Sequence, residues 1–149
     1  FVEASLSDPT PQERRRFRMA LGDVRDPALV RRVLELCLDD KIPTQDVALV
    51  LARLLGNRHA QLEAWSFIKA RWPALRERMP AMLASRLIEA TPALREENLR
   101  KDVMQFFKKN PLPTAARALR QADERFRLNA AFRRRAAPAL ARFLRAFPV

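Results

Sequence analysis

The sequence contains no tyrosine, one cysteine, one histidine and two glycines among 149 residues. Each scarcity excludes a class of function. His59 and Cys37 alone cannot supply the three or four nitrogen and sulfur ligands of a structural zinc site, and a lone cysteine closes no disulfide within the chain. Two glycines leave no Gly-rich phosphate loop, and neither a serine nucleophile elbow nor a paired-carboxylate cleft is present. No apolar run approaches the roughly 20 residues of a membrane-spanning helix. No basic leader followed by an apolar stretch marks a secretory signal. Tyrosine is absent, and most Phe and both Trp fall at core-type helical spacings, so the aromatic platforms that stack single-stranded bases are missing as well.

What is present is ordinary for a folded domain: 48% hydrophobic and 31% charged residues, in a length that suits a single domain. The charge is lopsided, with 29 Lys and Arg against 17 Asp and Glu for a net +12. Residues 1–43 are neutral and residues 111–149 carry +7, mostly as arginine. A surface of this kind either lies in solvent or packs on an acidic neighbour, and it can also bind phosphate by releasing counterions. His59 lacks the second histidine four residues on that a metalloprotease helix requires, and reads as a polar turn residue. Cys37 reads as a small buried hydrophobe. It is compatible with a reducing compartment, and a cytoplasmic protein is expected.

The apolar spacing is helical throughout. Val30, Val33, Leu34, Cys37 and Leu38 make one stripe, and Val47, Val50, Leu51, Leu54 and Leu55 repeat it seventeen positions later. Leu99, Val103, Phe106 and Phe107 form a third stripe, and Leu140, Phe143, Leu144 and Phe147 a fourth. Eleven prolines punctuate these stripes. Thr10-Pro11-Gln12-Glu13 reads as a capping box, and Gly22 as the left-handed residue that ends the first helix. Asp26-Pro27 opens a second helix, Thr44 caps a third and Gly56-Asn57 closes it. Further helices are expected over 59–71, 74–79, 81–90 and 95–109. A last one starts at Thr114 and kinks or breaks before Pro138. Asp39-Asp40 reads as a solvated turn that pairs with Lys41 or Arg31. The chain is therefore all-α, with eight or nine helices. Antiparallel helical hairpins stacked as a HEAT-like α-α superhelix account for the repeat over one domain, 1–149, and an irregular bundle is the alternative.

Several stretches resemble one family. Ala64-Trp65-Ser66-Phe67-Ile68-Lys69-Ala70-Arg71-Trp72 is similar to the "AWxFhKxNW" signature in the C-terminal domain of aminopeptidase N-type zinc enzymes. Endoplasmic-reticulum and puromycin-sensitive aminopeptidases carry the same domain. Upstream, Ala20-Leu21-Gly22 with Asp26-Pro27 looks like the "ALxxxxDxxLL" helix pair, and Gln45-Asp46 like the "QD" that opens the next helix. Downstream, Val103 with Phe106-Phe107 looks like "VxxFF". Residues 116–121, Glu124 and Asn129-Ala130-Ala131-Phe132 resemble "xRxLxQxxExIxxNxxW", with Phe132 in place of Trp. The resemblance runs from about residue 12 to 145, and the order of the motifs is more specific than any one of them.

The resemblance implies a non-catalytic C-terminal part of a larger chain, capping the catalytic domain of a zinc-dependent aminopeptidase and shaping access of peptides to it. Zinc, with the GxMEN-type motif and the HExxH helix, would belong to that other domain, where metal-bound water attacks the first peptide bond. The fragment itself is expected to be no enzyme and to hold no cofactor. Its partners would be the parent's catalytic domain and a peptide substrate, not a membrane. Gln45, Asp46, Arg53, Arg86 and Arg117 are the candidate chamber or interdomain contacts, and a basic wall could attract the C-terminal carboxylate of a bound peptide. Trp65 and Trp72, seven apart on one face, are expected to pack between helices, and Arg117, Gln121 and Glu124 to hydrogen-bond between them. The alternative is a free-standing basic helical-repeat module that binds nucleic acid or an acidic protein.

Overall fold

A computed structural model describes residues 2–112 and 115–146. Among these residues nine α-helices form and no strand: α1 (Val2–Ser7), α2 (Pro11–Ala20), α3 (Pro27–Leu36), α4 (Thr44–Gly56), α5 (Gln61–Ala70), α6 (Trp72–Arg78), α7 (Ala84–Ala90), α8 (Glu97–Lys109) and α9 (Ala116–Ala146). Short 3-10 turns, Leu21–Asp23 and Thr91–Leu94, prolong α2 and α7. The fold class is the expected one.

The first three stripes became the core. Val30, Val33, Leu34 and Cys37 are buried, as are Val103 and Phe107, while Leu99 and Phe106 pack at the core's margin. Helix α4 is buried almost all round, through Val47, Ala48, Val50, Leu51, Leu54 and Leu55. Helices α2, α4, α7 and α9 neighbour one another in one layer. Helices α3, α5 and α8 follow in the other, with α5 meeting α8 through Trp65 and Phe106. This alternation of layers along the chain is the arrangement of stacked helical hairpins. Within the layer, Leu83, just ahead of α7, shares a depression with Gln45 and Leu49 of the first half of α4 and with Pro11 and Gln12 of α2. The three helices therefore begin at the same end of the bundle. Burial lifts the Cys37 thiol to about 12, so the side chain is an inert hydrophobe.

Several local expectations fail for identifiable reasons. Thr10 takes the N-cap position of α2, but its hydroxyl caps nothing. Its own N–H donates to Asp8 Oδ1 at 2.8 Å, and Glu13 is drawn instead to Arg16 at 2.8 Å. Asp26 does cap α3, accepting from the amides of Ala28 and Leu29. At α4 the N-cap is Pro43, and Thr44 is already helical. Gly22 does not have positive φ. Its value is space, since a Cβ there would stand 2.7 Å from Arg53 Cβ and 2.8 Å from its Cγ. Trp65 and Trp72 lie not on one helix but on α5 and α6, with the break at Arg71. Thr114 and Phe147 lie outside the described residues.

The largest departure is at the end. Helix α9 runs through Pro138 without a break. Proline removes one N–H, and the carbonyl it would have served belongs to Arg134, which is exposed and open to water. The described part of the fourth stripe is not core, with Leu140, Phe143 and Leu144 between 57% and 59% exposed. The last buried side chain of α9 is Phe126.

Gly22→Ala is expected to destabilise the domain by roughly 1–3 kcal/mol, the usual cost of forcing a methyl into a filled site. Urea unfolding would measure it, and an unchanged midpoint would mean that the Arg53 stem moves aside freely.

Candidate functional site

Of the five candidate residues, four stand on the first turns of helices that begin at the same end. Gln45 and Asp46 open α4, Arg86 lies in the first turn of α7, and Arg117 in that of α9. Gln45 and Arg117 are exposed, and Arg117 makes no ion pair among the described residues. Arg86 pairs with Glu89 of its own helix, at 3.2 Å. The unsatisfied N–H groups of three helix starts add positive potential at this end. Asp46 is the exception in character. Only 1% exposed, it accepts from Arg18 Nε at 2.8 Å and has Arg15 at 3.5 Å. Arg18 Nη1 also donates to the Ser5 carbonyl at 3.0 Å, so one buried pair ties α1, α2 and α4 together.

Arg53 lies at the opposite end, in the last turn of α4. Its guanidinium grips Asp23 in a fork, with Nε at 3.0 Å and Nη2 at 2.7 Å from the two carboxylate oxygens. This end collects the turns between helices. Asn57 Nδ2 donates to the carbonyls of Gly22 and Val24, joining the α2–α3 and α4–α5 connections. Arg25, Arg58 and His59 line a shallow basin with Arg53 here. Helix α9 passes the α7–α8 connection where Arg133 meets Glu96 at 3.3 Å. At that connection Arg95 has φ 66° and ψ −32°. The Glu96 N–H reaches back to the Leu94 carbonyl at 2.8 Å, closing a tight γ-turn that strains an L-residue.

Sequence reasoning missed the tethers between helices. Asp102 of α8 accepts from Trp65 Nε1 at 2.8 Å and from Lys69 Nζ at 2.6 Å. Burial works to raise its carboxyl, and the hydrogen bonds from Lys69 and Trp65 outweigh that and hold it below the usual carboxylate range. The signal was available in part: Trp65 and Lys69, four apart on α5, face the same way and need an acceptor. Arg78 of α6 bonds to Asp40 at 2.7 Å and to the carbonyls of Asp39 and Ile42, while Lys41 takes Asp39 at 3.4 Å. The Asp39-Asp40 turn is thus fastened by an arginine that its local sequence does not reveal. Arg100 bridges Glu97 and Asp123, linking α8 to α9. Arg117, Gln121 and Glu124, expected between helices, make no such bonds among the described residues. They are exposed, and Gln121 and Glu124 line a surface depression with Glu89.

Residues 1–128 match the ERAP1-like C-terminal domain. The chain belongs to that family. Among similar proteins, aminopeptidase M1-A of Oryza sativa subsp. japonica is 29% identical over 131 residues, which is 87% of this chain and 14% of that protein. Aminopeptidase M1 of Arabidopsis thaliana is 30% identical over 122 residues, 80% of this chain and 14% of that protein. The probable aminopeptidase 1 of Saccharolobus solfataricus is 24% identical over 123 residues, 78% of this chain and 15% of the protein. The chain thus spans about one-seventh of the length of these relatives.

In this ERAP1-like domain no group of three or more His, Cys, Asp or Glu could hold a metal ion among the described residues. A zinc ion does not fit this donor set. No described helix is long and apolar enough to cross a membrane.

Because the folded state holds the Asp102 carboxyl low, its ionised form contributes stability above the ordinary aspartate range, and that contribution is lost as pH falls through the lower folded value. Urea midpoints taken between about pH 3 and pH 7 are expected to fall more steeply on acidification in the parental protein than in Asp102→Asn. Parallel curves would remove this pairing from the account of stability.

Proposed function

We propose that this chain is the C-terminal, non-catalytic domain of a zinc-dependent aminopeptidase, and that it caps the catalytic domain and controls which peptides enter. The observation that carries the reading is the family match over residues 1–128, together with relatives that are themselves aminopeptidases. Zinc and the residues that activate water on it would lie in the rest of the polypeptide. The contribution of this domain is shape and electrostatics. The helix-start end, with Arg86, Arg117 and Gln45 exposed around it, is suited to attract the terminal carboxylate of a peptide whose amino end is being cleaved. Arg53, committed to Asp23 at the other end, acts in holding the turns together.

The test is made on the complete polypeptide. Arg86→Glu with Arg117→Glu is expected to raise KM severalfold for peptides of about ten residues, while an aminoacyl reporter too short to reach the domain is cleaved as before. Equal effects on both substrates, or none on either, would overturn the carboxylate role. Absence of aminopeptidase activity in the complete polypeptide would overturn the larger reading.

One observation favours a second reading, a basic module for nucleic acid. Phe132 and Phe143 are exposed on the arginine-rich α9, so aromatic surface is available after all. Binding to a single-stranded oligonucleotide that weakens steeply and linearly in log salt would support it, and weak binding without that slope would dismiss it.

A further inference from the structure

The second half of α9 is an arm. It passes Glu96 at Arg133 and continues beyond the end of the bundle that carries the α4–α5 and α7–α8 turns. From Leu128 onward every side chain of the arm is exposed except Ala130 and Ala136, which are partly covered. Yet the arm is patterned like a helix that packs. Leu128, Phe132, Leu140, Phe143 and Leu144 lie on one side, at 57–62% exposure. By helical periodicity that side continues the face that Ala118, Ala122 and Phe126 bury against the bundle. Arg135 and Arg142 flank that side on one edge and Arg134 and Arg145 on the other, and no acidic residue follows Glu124. An isolated amphipathic helix of this length is marginal in water, because helical stability comes mainly from covering the apolar face.

Three observations bear on what could cover it. The family match ends at residue 128, two residues after the last buried side chain of α9, so the arm is not needed to complete the domain's own core. The end from which it projects is cationic as well: Arg25, Arg58 and Arg95 are exposed there and pair with no carboxylate among the described residues. A second copy would set one arginine-rich flank against another, so charge disfavours self-pairing. The relatives have about six-sevenths of their length outside the part this chain matches. A groove in the same polypeptide would face the arm at the high effective concentration of a tethered partner.

We infer that residues 129–146 dock as a helix into an apolar groove with an acidic rim on the remainder of the same polypeptide, with Arg25, Arg58 and Arg95 meeting the same acidic surface. The inference rests on the reading of this chain as one domain of a larger enzyme. Phe132, Phe143 and Leu144 are the anchors, and the arginines on either side set register on the rim. The strained turn at Arg95 holds that side chain at the foot of the arm.

The test uses the complete polypeptide with a photo-crosslinking amino acid in place of Leu140, read by peptide mapping. Hydrogen exchange of residues 129–146 is measured alongside, in that protein and in a Phe132→Glu, Phe143→Glu variant. The expected result is an intramolecular crosslink to a segment rich in Asp and Glu, with arm amides exchanging at least about tenfold more slowly than in the variant. Crosslinked dimers would overturn the inference in favour of self-association. Protection that appears only with phosphatidylglycerol vesicles or with an oligonucleotide would overturn it in favour of those surfaces, and an arm that exchanges freely would overturn it outright. Cleavage of an aminoacyl reporter by the same preparation is scored separately. A crosslink without cleavage would retain the docking and discard the aminopeptidase, and cleavage without a crosslink would do the reverse.

Discussion

The rest of the domain is arranged around one constraint, that α4 has no side it can leave in water. Six apolar residues in thirteen are buried on it, distributed round the helix and not confined to a stripe. A helix of that kind must be enclosed. Helices α2 and α7 flank it in its own layer and α5 covers it from the other. Enclosure also traps Asp46, and a buried carboxylate is tolerable only with a counter-charge. Arg18 supplies it at 2.8 Å, at the cost of being buried itself. Replacing either partner alone would strand the other, a loss on the order of 3–5 kcal/mol in comparable buried pairs. The family-like Gln45-Asp46 pair is thus divided between two tasks, one residue locking the layer and the other facing outward.

The two ends of the bundle differ in what they offer. At one end the helices of the main layer begin, and their amides and arginines point outward around a shallow depression. At the other the connections are cross-braced by Arg53 and Asn57, one backbone turn is strained, and a long helix leaves the body. Polarity of this kind follows from the hairpin topology, since alternating layers set every helix start of one layer on the same side.

The core was legible in the sequence because it depends on periodicity, and three of four apolar stripes are buried as their spacing implies. Local chemistry was less so. Thr10 and Glu13 satisfy the pattern of a capping box, but Arg16 competes for the glutamate, and no spacing rule weighs that competition. The position of Gly22 suggests a conformational reason, but the operative one is the stem of Arg53, thirty-one positions away, which only tertiary packing brings near. The tethers at Asp102, Arg78 and Arg100 all join distant segments, so each half was visible and the pairing was not. The fourth stripe shows the limit of periodicity itself. It reports that a face is apolar and leaves open whether the cover belongs to the same domain.

The joint between α5, α6 and α8 has a consequence of another kind. Trp65 and Trp72 both lie against Phe106 and Phe107, with centroids 5.3–6.2 Å apart. Trp65 donates its indole N–H to a carboxylate, while the buried Trp72 N–H meets no hydrogen-bond acceptor among the described residues. Since both tryptophans of the chain stand here, its indole emission arises entirely at this joint. The domain therefore carries an intrinsic optical gauge that is blind to both ends of the bundle and to the arm. Its two indoles stand in electrostatically different settings, one beside an anion and one in an apolar wall. A change in colour or intensity would report α8 parting from α5 and α6, and a partner seated on the arm would leave the signal unchanged.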